Sequence, residues 1–236
     1  MQIACSPHQI FKSHILLILF LACLHAVFAT ILIVFNIDYA KGFAHLFRMD
    51  FENNVPTIFS GFALLTNALF ALIIFFQFKI KTYVVYGWLY ISIILLFLCL
   101  DEVMQIHELL TMVGRSLMGW ELESRRSAWF IVYAPLPFLT VLLLWKWFWL
   151  LPKATQIGFV VSGLMFLISS VGIEIIQGFG SKGLTSYEVN RKVWFQASVI
   201  VEETMEMLAV ALALRTILLF MSKEFGGLFI GEQSRE

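Results

Sequence analysis

Asp101, Glu102, Glu108, Glu174, Glu202, Glu203 and Glu206 fall inside long apolar stretches of the chain. An Asp at the centre of a membrane helix costs roughly 2.5 to 3.5 kcal/mol on insertion scales, so intramembrane acids are by default functional. Carboxylates that share one low-dielectric space cannot all be ionised together without a cation. The set therefore implies a bound metal ion, a proton pathway, or a hydrogen-bonded network of protonated and ionised acids. Carboxylates with an imidazole on packed helices match the ligand chemistry of zinc, manganese or iron, and such an ion acts as a Lewis acid or makes a hydroxide nucleophile. His107 is the imidazole nearest these acids in the sequence, so Asp101, His107, Glu174, Glu202, Glu203 and Glu206 are the candidate metal ligands. Asp101, Glu203 and Glu206 are the candidate catalytic groups. His25 is a further ligand candidate, although a satisfied polar residue between helices is the commoner role at such a place. The paired Glu-x-x-His spacing of di-iron bundles is absent.

The elements that must carry these residues are membrane helices. The composition is 60% hydrophobic and only 14% charged, with a mean hydropathy of +0.87. A bilayer core of about 30 Å needs about 20 apolar residues at 1.5 Å each. Six stretches qualify: His14 to Ile37, Pro56 to Phe78, Val84 to Val113, Ala128 to Leu151, Gln156 to Gly178 and Trp194 to Met221. The expected fold is all-α, a single transmembrane bundle over residues 1–236, with membrane lipids as its surroundings. Asn54 and Pro56 suit a helix start, and Pro135 with Pro137 should kink the fourth helix or delay its regular start. The third stretch exceeds one crossing and should tilt or project beyond the hydrocarbon.

The 16 basic and 16 acidic residues cancel, so net charge recommends no nucleic-acid partner. Cys5, Cys23 and Cys99 are scattered and suggest neither a disulfide framework nor a CxxC metal site. The short loops with Lys79, Lys81 and Lys153 lack acids, which favours cytoplasmic termini, with a bacterial inner membrane as the expected location. On that topology the acids of the third, fifth and sixth helices reach similar depth: Asp101 and Glu174 are about 27 to 30 Å from the inner ends, and Glu202 about 12 Å from the outer end. Asp50, Glu52, Asn53 and Asn54 fall on the same side, as do Arg125 and Arg126, which could meet an anionic substrate or only flank a helix.

At about 100° per residue, Asp101, Gln105 and Glu108 form one polar stripe within about 60°, and Glu202, Glu203 and Glu206 span about 100°. Glu102 and His107 point off the stripe. Glu102 and Glu108 have a plainer reading as an ordinary helix end reaching water. Glu174 and Gln177 sit among Gly172, Gly178 and Gly180, which would let the three helices pack closely.

The strings Leu100-Asp101-Glu102 with His107-Glu108, Glu52-Asn53-Asn54-Val55-Pro56-Thr57, and Glu202-Glu203-Thr204-Met205-Glu206-Met207 resemble a family of uncharacterised bacterial multi-pass membrane proteins. The resemblance spans most of the chain and implies no activity. A weaker similarity is to the alkaline ceramidase and adiponectin receptor group, whose order of motifs Asn54, Ser60, Asp101 and Glu102 echo. That group takes zinc ligands from a late His-x-x-x-His pair, and this chain has no histidine after His107, so neither its zinc site nor its activity is carried over.

Three functions follow. The first is a metal-dependent membrane enzyme acting on a lipid or lipid-linked substrate; the second is a cation- or proton-coupled carrier; the third is a non-catalytic assembly subunit whose acids only order the bundle.

Overall fold

The computed structural model describes residues 6–36, 42–78, 83–119 and 128–225. Ten α-helical segments run through these residues: α1 (Pro7–Phe35), α2 (Val55–Gln77), α3 (Tyr83–Met104), α4 (Ile106–Leu117), α5 (Trp129–Tyr133), α6 (Pro135–Leu150), α7 (Lys153–Leu167), α8 (Glu174–Gly180), α9 (Ser186–Val189) and α10 (Val193–Phe225). A 3₁₀ turn covers Phe43–Leu46 and a π-helical turn covers Ile168–Ile173, joining α7 to α8. No strand occurs among the described residues. Six continuous rods are long and apolar enough to cross a membrane, with α5–α6 and α7–α8 each counting as one. The chain is an all-α polytopic bundle, as its apolar stretches predict.

Local chemistry sets the ends. Ser6 starts α1 through a capping box with Gln9, and Pro7 occupies the first turn, so α1 begins seven residues before the apolar run that predicts it. Asn54 caps α2 by accepting from the Thr57 amide at 3.0 Å. Its Nδ2 also donates to the carbonyls of Arg48 (2.6 Å) and Phe51 (2.5 Å), so one side chain fixes both the helix start and the loop before it. Arg48 is buried against Asp50, and the Met49 amide donates to His25 Nδ1 at 2.8 Å, which pins that loop to α1. His25 is buried, with its Nδ1 lone pair in use.

Two expected helices are broken. The third stretch is not one rod to Val113. Gln105 adopts a left-handed conformation (φ 56°, ψ 41°), α3 stops at Met104, and α4 leaves in a new direction. Leu109, Met112, Val113 and Leu117 are exposed along α4 while Thr111 and Gly114 are buried, the pattern of an amphipathic helix lying at the membrane surface. The fourth stretch divides at Ala134, where Pro135 restarts the helix as α6.

α10 is the central element and the most enclosed of the six rods; α1, α2 and α7 all pack on it. Its run Ala209, Val210 and Ala211 keeps the approach close, and Asn67 donates across to the Val210 carbonyl at 3.2 Å. At one end the core is apolar and aromatic. Trp88 is fully buried against Trp147 in edge-to-face contact (5.4 Å, 85°), with Ile74, Ile217 and Phe220 around them. At the other end stand the polar residues of α3, α8 and α10. The rod Trp129–Leu150 is the least enclosed; α6 leans on α3, and the described contacts leave a gap between α6 and α7.

Gly87 marks the closest approach of α3 to α6, since a Cβ there would overlap the Trp147 indole, whose Nε1 donates to the Val84 carbonyl at 2.8 Å. Overpacking of this kind costs about 1–3 kcal/mol. Gly87→Ala is expected to lower the melting temperature in detergent by several degrees, whereas Gly163→Ala, in open space, leaves it unchanged; differential scanning fluorimetry separates the two.

Candidate functional site

The polar end encloses a cavity of about 210 Å³. Asp101 and Glu102 reach it from α3, Glu108 and His107 from α4, Glu174 and Gln177 from α8, and Glu202, Glu203 and Glu206 from α10. Asp50 and Glu52 close it from the loop before α2. Every candidate ligand and catalytic residue read from the sequence lines this one space, apart from His25. α10 packs against the π turn and α8 there, and the cavity lies beside that contact. Gly180 admits the Trp194 ring, but Gly172 has nothing nearer than Ile168 of its own rod.

The break at Gln105 builds half of the site. On an unbroken helix His107 would lie about 9 Å along the axis from Asp101 and about 120° around it. With the chain turned at Gln105, Asp101 Oδ1 accepts the His107 amide at 2.8 Å and Oδ2 stands 3.2 Å from His107 Nδ1. Gln105 gives α4 no side-chain cap, so Asp101, six residues from His107, takes that role. The stripe Asp101, Gln105, Glu108 therefore does not exist as expected, and Glu102 and His107, expected off it, both line the cavity. A left-handed L-residue costs about 1–2 kcal/mol, which the Asp101 contacts offset.

The segment α5 completes this corner. Tyr133 donates to Asp101 Oδ1 at 2.8 Å, and Trp129 Nε1 donates to Glu174 Oε2 at 2.5 Å while meeting the His107 ring edge-on at 5.8 Å. The only hint in the sequence was two hydrogen-bonding aromatics just before a helix-breaking Pro135. The π turn Ile168–Ile173 sits directly before Glu174 and changes the phase at which α8 presents it. Ser169 and Ser170 donate to the carbonyls of Met165 and Phe166, satisfying backbone that the irregular turn frees.

The acids divide by partnership. Asp50 pairs with Arg48, and Gln177 Nε2 donates to Glu202 at 2.5 Å. Glu102, Glu203 and Glu206 have no side-chain hydrogen bond or ion pair with another described residue. The exposure Glu203 and Glu206 retain is to the cavity, since protein surrounds both. Among the described lining residues His107 is the one side chain able to carry positive charge. Arg125 and Arg126 lie outside the described residues. No group of three His, Cys, Asp or Glu among the described residues converges as a metal ligand set.

Above the membrane-spanning rods the electrostatics are mixed. Burial pushes the Glu52 carboxyl above its ordinary range, and His107 opposes the shift. Burial works against a charged His107, but the hydrogen bond and charge of Asp101, with Glu52 and Glu108, outweigh it and push the imidazole up to about 9.

A second space adjoins this cavity and shares part of its wall. It is a groove of about 870 Å³ with almost entirely apolar walls, running between α3, α5–α6, α7 and α10. Leu64, Leu98, Trp129, Tyr133, Phe166 and Ser170 line both spaces. Many groove residues, among them Val141, Val160 and Leu164, are also exposed, so it opens toward lipid.

The family model of a domain of unknown function (DUF8692) matches residues 16–221, and the chain belongs to that family. No curated protein and no solved structure matches it.

Because the folded value of His107 is raised, the stability it contributes is complete below about pH 6.5 and lost as pH rises through about 9. The melting temperature of the wild type is expected to fall by a few degrees more than that of His107→Gln between pH 6.5 and pH 9.5, and the difference between the two curves isolates this residue.

Proposed function

We propose that the protein is a membrane enzyme acting on a lipid or lipid-linked substrate, with the substrate head in the carboxylate chamber and its hydrocarbon in the groove. The placement of an acid-lined cavity directly beside an exposed apolar groove, with six residues lining both, supports this reading above all. The groove accounts for the loose packing of α6, and the chamber gives the six acids of this set that lie within the membrane rods one shared role.

In this reading His107, holding its proton at neutral pH, is the general acid, and Asp101 positions it. Glu203 and Glu206 face the reacting group and stabilise positive charge there. Glutamates are hard oxygen donors, and zinc, manganese or iron held by Glu174, Glu202, Glu203 and Glu206 would supply Lewis acidity. Such an ion would need these side chains to close around it. A carrier needs an exit on the far side of its site, and the Trp88, Trp147 and Phe220 packing beneath the chamber supports the enzyme reading instead. The sequence-based topology would put the chamber in the outer leaflet.

Reconstituted wild-type protein, incubated with a membrane lipid extract, is expected to consume at least one lipid species, followed by mass spectrometry. Asp101→Asn and Gly163→Trp, the latter filling the groove from a position with no neighbour within 4 Å of its Cβ, should lower that rate at least tenfold. Metal analysis of dialysed wild type beside Glu203→Ala decides the cofactor: near-stoichiometric zinc, manganese or iron that falls in the variant supports a metal enzyme. If no lipid changes, with or without added metal, the enzyme reading is wrong.

A further inference from the structure

The chamber has a sign. We propose that its ligand is a cationic amphiphile, a long hydrocarbon chain carrying an amine head, with the ammonium among Glu102, Glu203 and Glu206 and the chain in the groove. This names a substrate class and rests on the lipid-acting reading above.

Charge comes first. Among the described residues nine carboxyl groups line the space against one imidazole, and the buried Arg48 guanidinium is engaged by Asp50. Such a set cannot be fully ionised while the space holds no cation; an ammonium offsets the charge as the acids ionise, whereas a phosphate or carboxylate head would add negative charge in a low-dielectric setting. Three enclosed glutamates have no hydrogen-bond partner of their own among the described residues and face the cavity. An ammonium offers three donors to such acceptors.

Distribution comes second. A metal ion needs its donors gathered around a point, and no three described residues are so gathered. The acids are spread around a space of about 210 Å³. That spread fits a head with several N–H groups better than a bare ion. The border comes third: Trp129 and Tyr133 line both chamber and groove, and aromatic faces attract an ammonium. The groove then favours a hydrocarbon chain, because its walls are almost entirely apolar.

Full-length protein in a non-ionic detergent would be titrated with hexadecylamine, hexadecanol, hexadecyl phosphate, putrescine and manganese(II), with native mass spectrometry and thermal shift as readouts. Hexadecylamine is expected to bind at least tenfold more tightly than hexadecanol, hexadecyl phosphate or putrescine. The combined Glu203→Gln and Glu206→Gln variant should lose that preference while still binding hexadecanol. Gly163→Trp should weaken every C16 compound and leave putrescine unchanged. Hexadecyl phosphate or hexadecanol binding as tightly as hexadecylamine to wild type overturns the cationic head and leaves the lipid reading standing. Manganese that binds one per chain and abolishes hexadecylamine binding overturns it in favour of a metal. No C16 compound binding wild type, with Gly163→Trp indistinguishable from it, removes both the proposal and the reading beneath it.

Discussion

A carboxylate inside a bilayer must find a partner, a proton or a water-filled space, and most irregular features of this fold sit where that requirement is met. Gln105 turns α3 into α4 beside Asp101 and Glu102. Ala134 divides α5 from α6 beside Tyr133, which donates to Asp101. The π turn precedes Glu174. Each break exposes backbone that a membrane helix ordinarily satisfies within itself, and each is tolerated because it is enclosed by protein or borders the cavity. Serines 169 and 170 show the local remedy, their hydroxyls taking up carbonyls that the π turn leaves over.

The opposite end is built on the reverse principle. Trp88, Trp147 and Phe220 interlock around Ile217 with few polar atoms to satisfy, and Gly87 lets the Trp147 ring lie directly on α3. That tight end anchors α6 to α3. Farther along, nothing draws α6 to α7, and the same rod that is fixed at its base leaves an open groove above. Rigidity at one end thus permits a lipid-sized opening beside the chamber without loss of the bundle.

Membrane spans were legible because they depend on length and hydropathy, which local sequence carries. The acids were legible for the same reason: a charge within an apolar run is conspicuous wherever the helix points. Their relative placement was not legible past Gln105, since neither glycine nor proline marks that break. A regular 100° step assigned Glu108 to a stripe with Asp101 and sent His107 elsewhere; all three line the chamber, and the left-handed Gln105 is what brings His107 to Asp101. The places of Glu52, Trp129 and Tyr133 at the chamber were not legible either, because they depend on contacts with residues distant in sequence. Pro135 did announce its break, but not what the preceding aromatics would reach.

The two kinds of acid in the chamber are used differently, and side-chain length explains the division. Asp50 and Asp101 have one methylene, lie close to the backbone, and hold it: Asp50 through Arg48 in the loop before α2, Asp101 through the His107 amide at the start of α4. Their oxygens are committed, and moving either would release a segment of the cavity wall. The glutamates have one more rotatable bond and reach past the helix surface. Glu174 and Glu202 accept from Trp129 and Gln177, while Glu102, Glu203 and Glu206 end in the space itself. The walls of the cavity are thus fixed by short, satisfied acids, and its interior is faced by longer ones with spare acceptors.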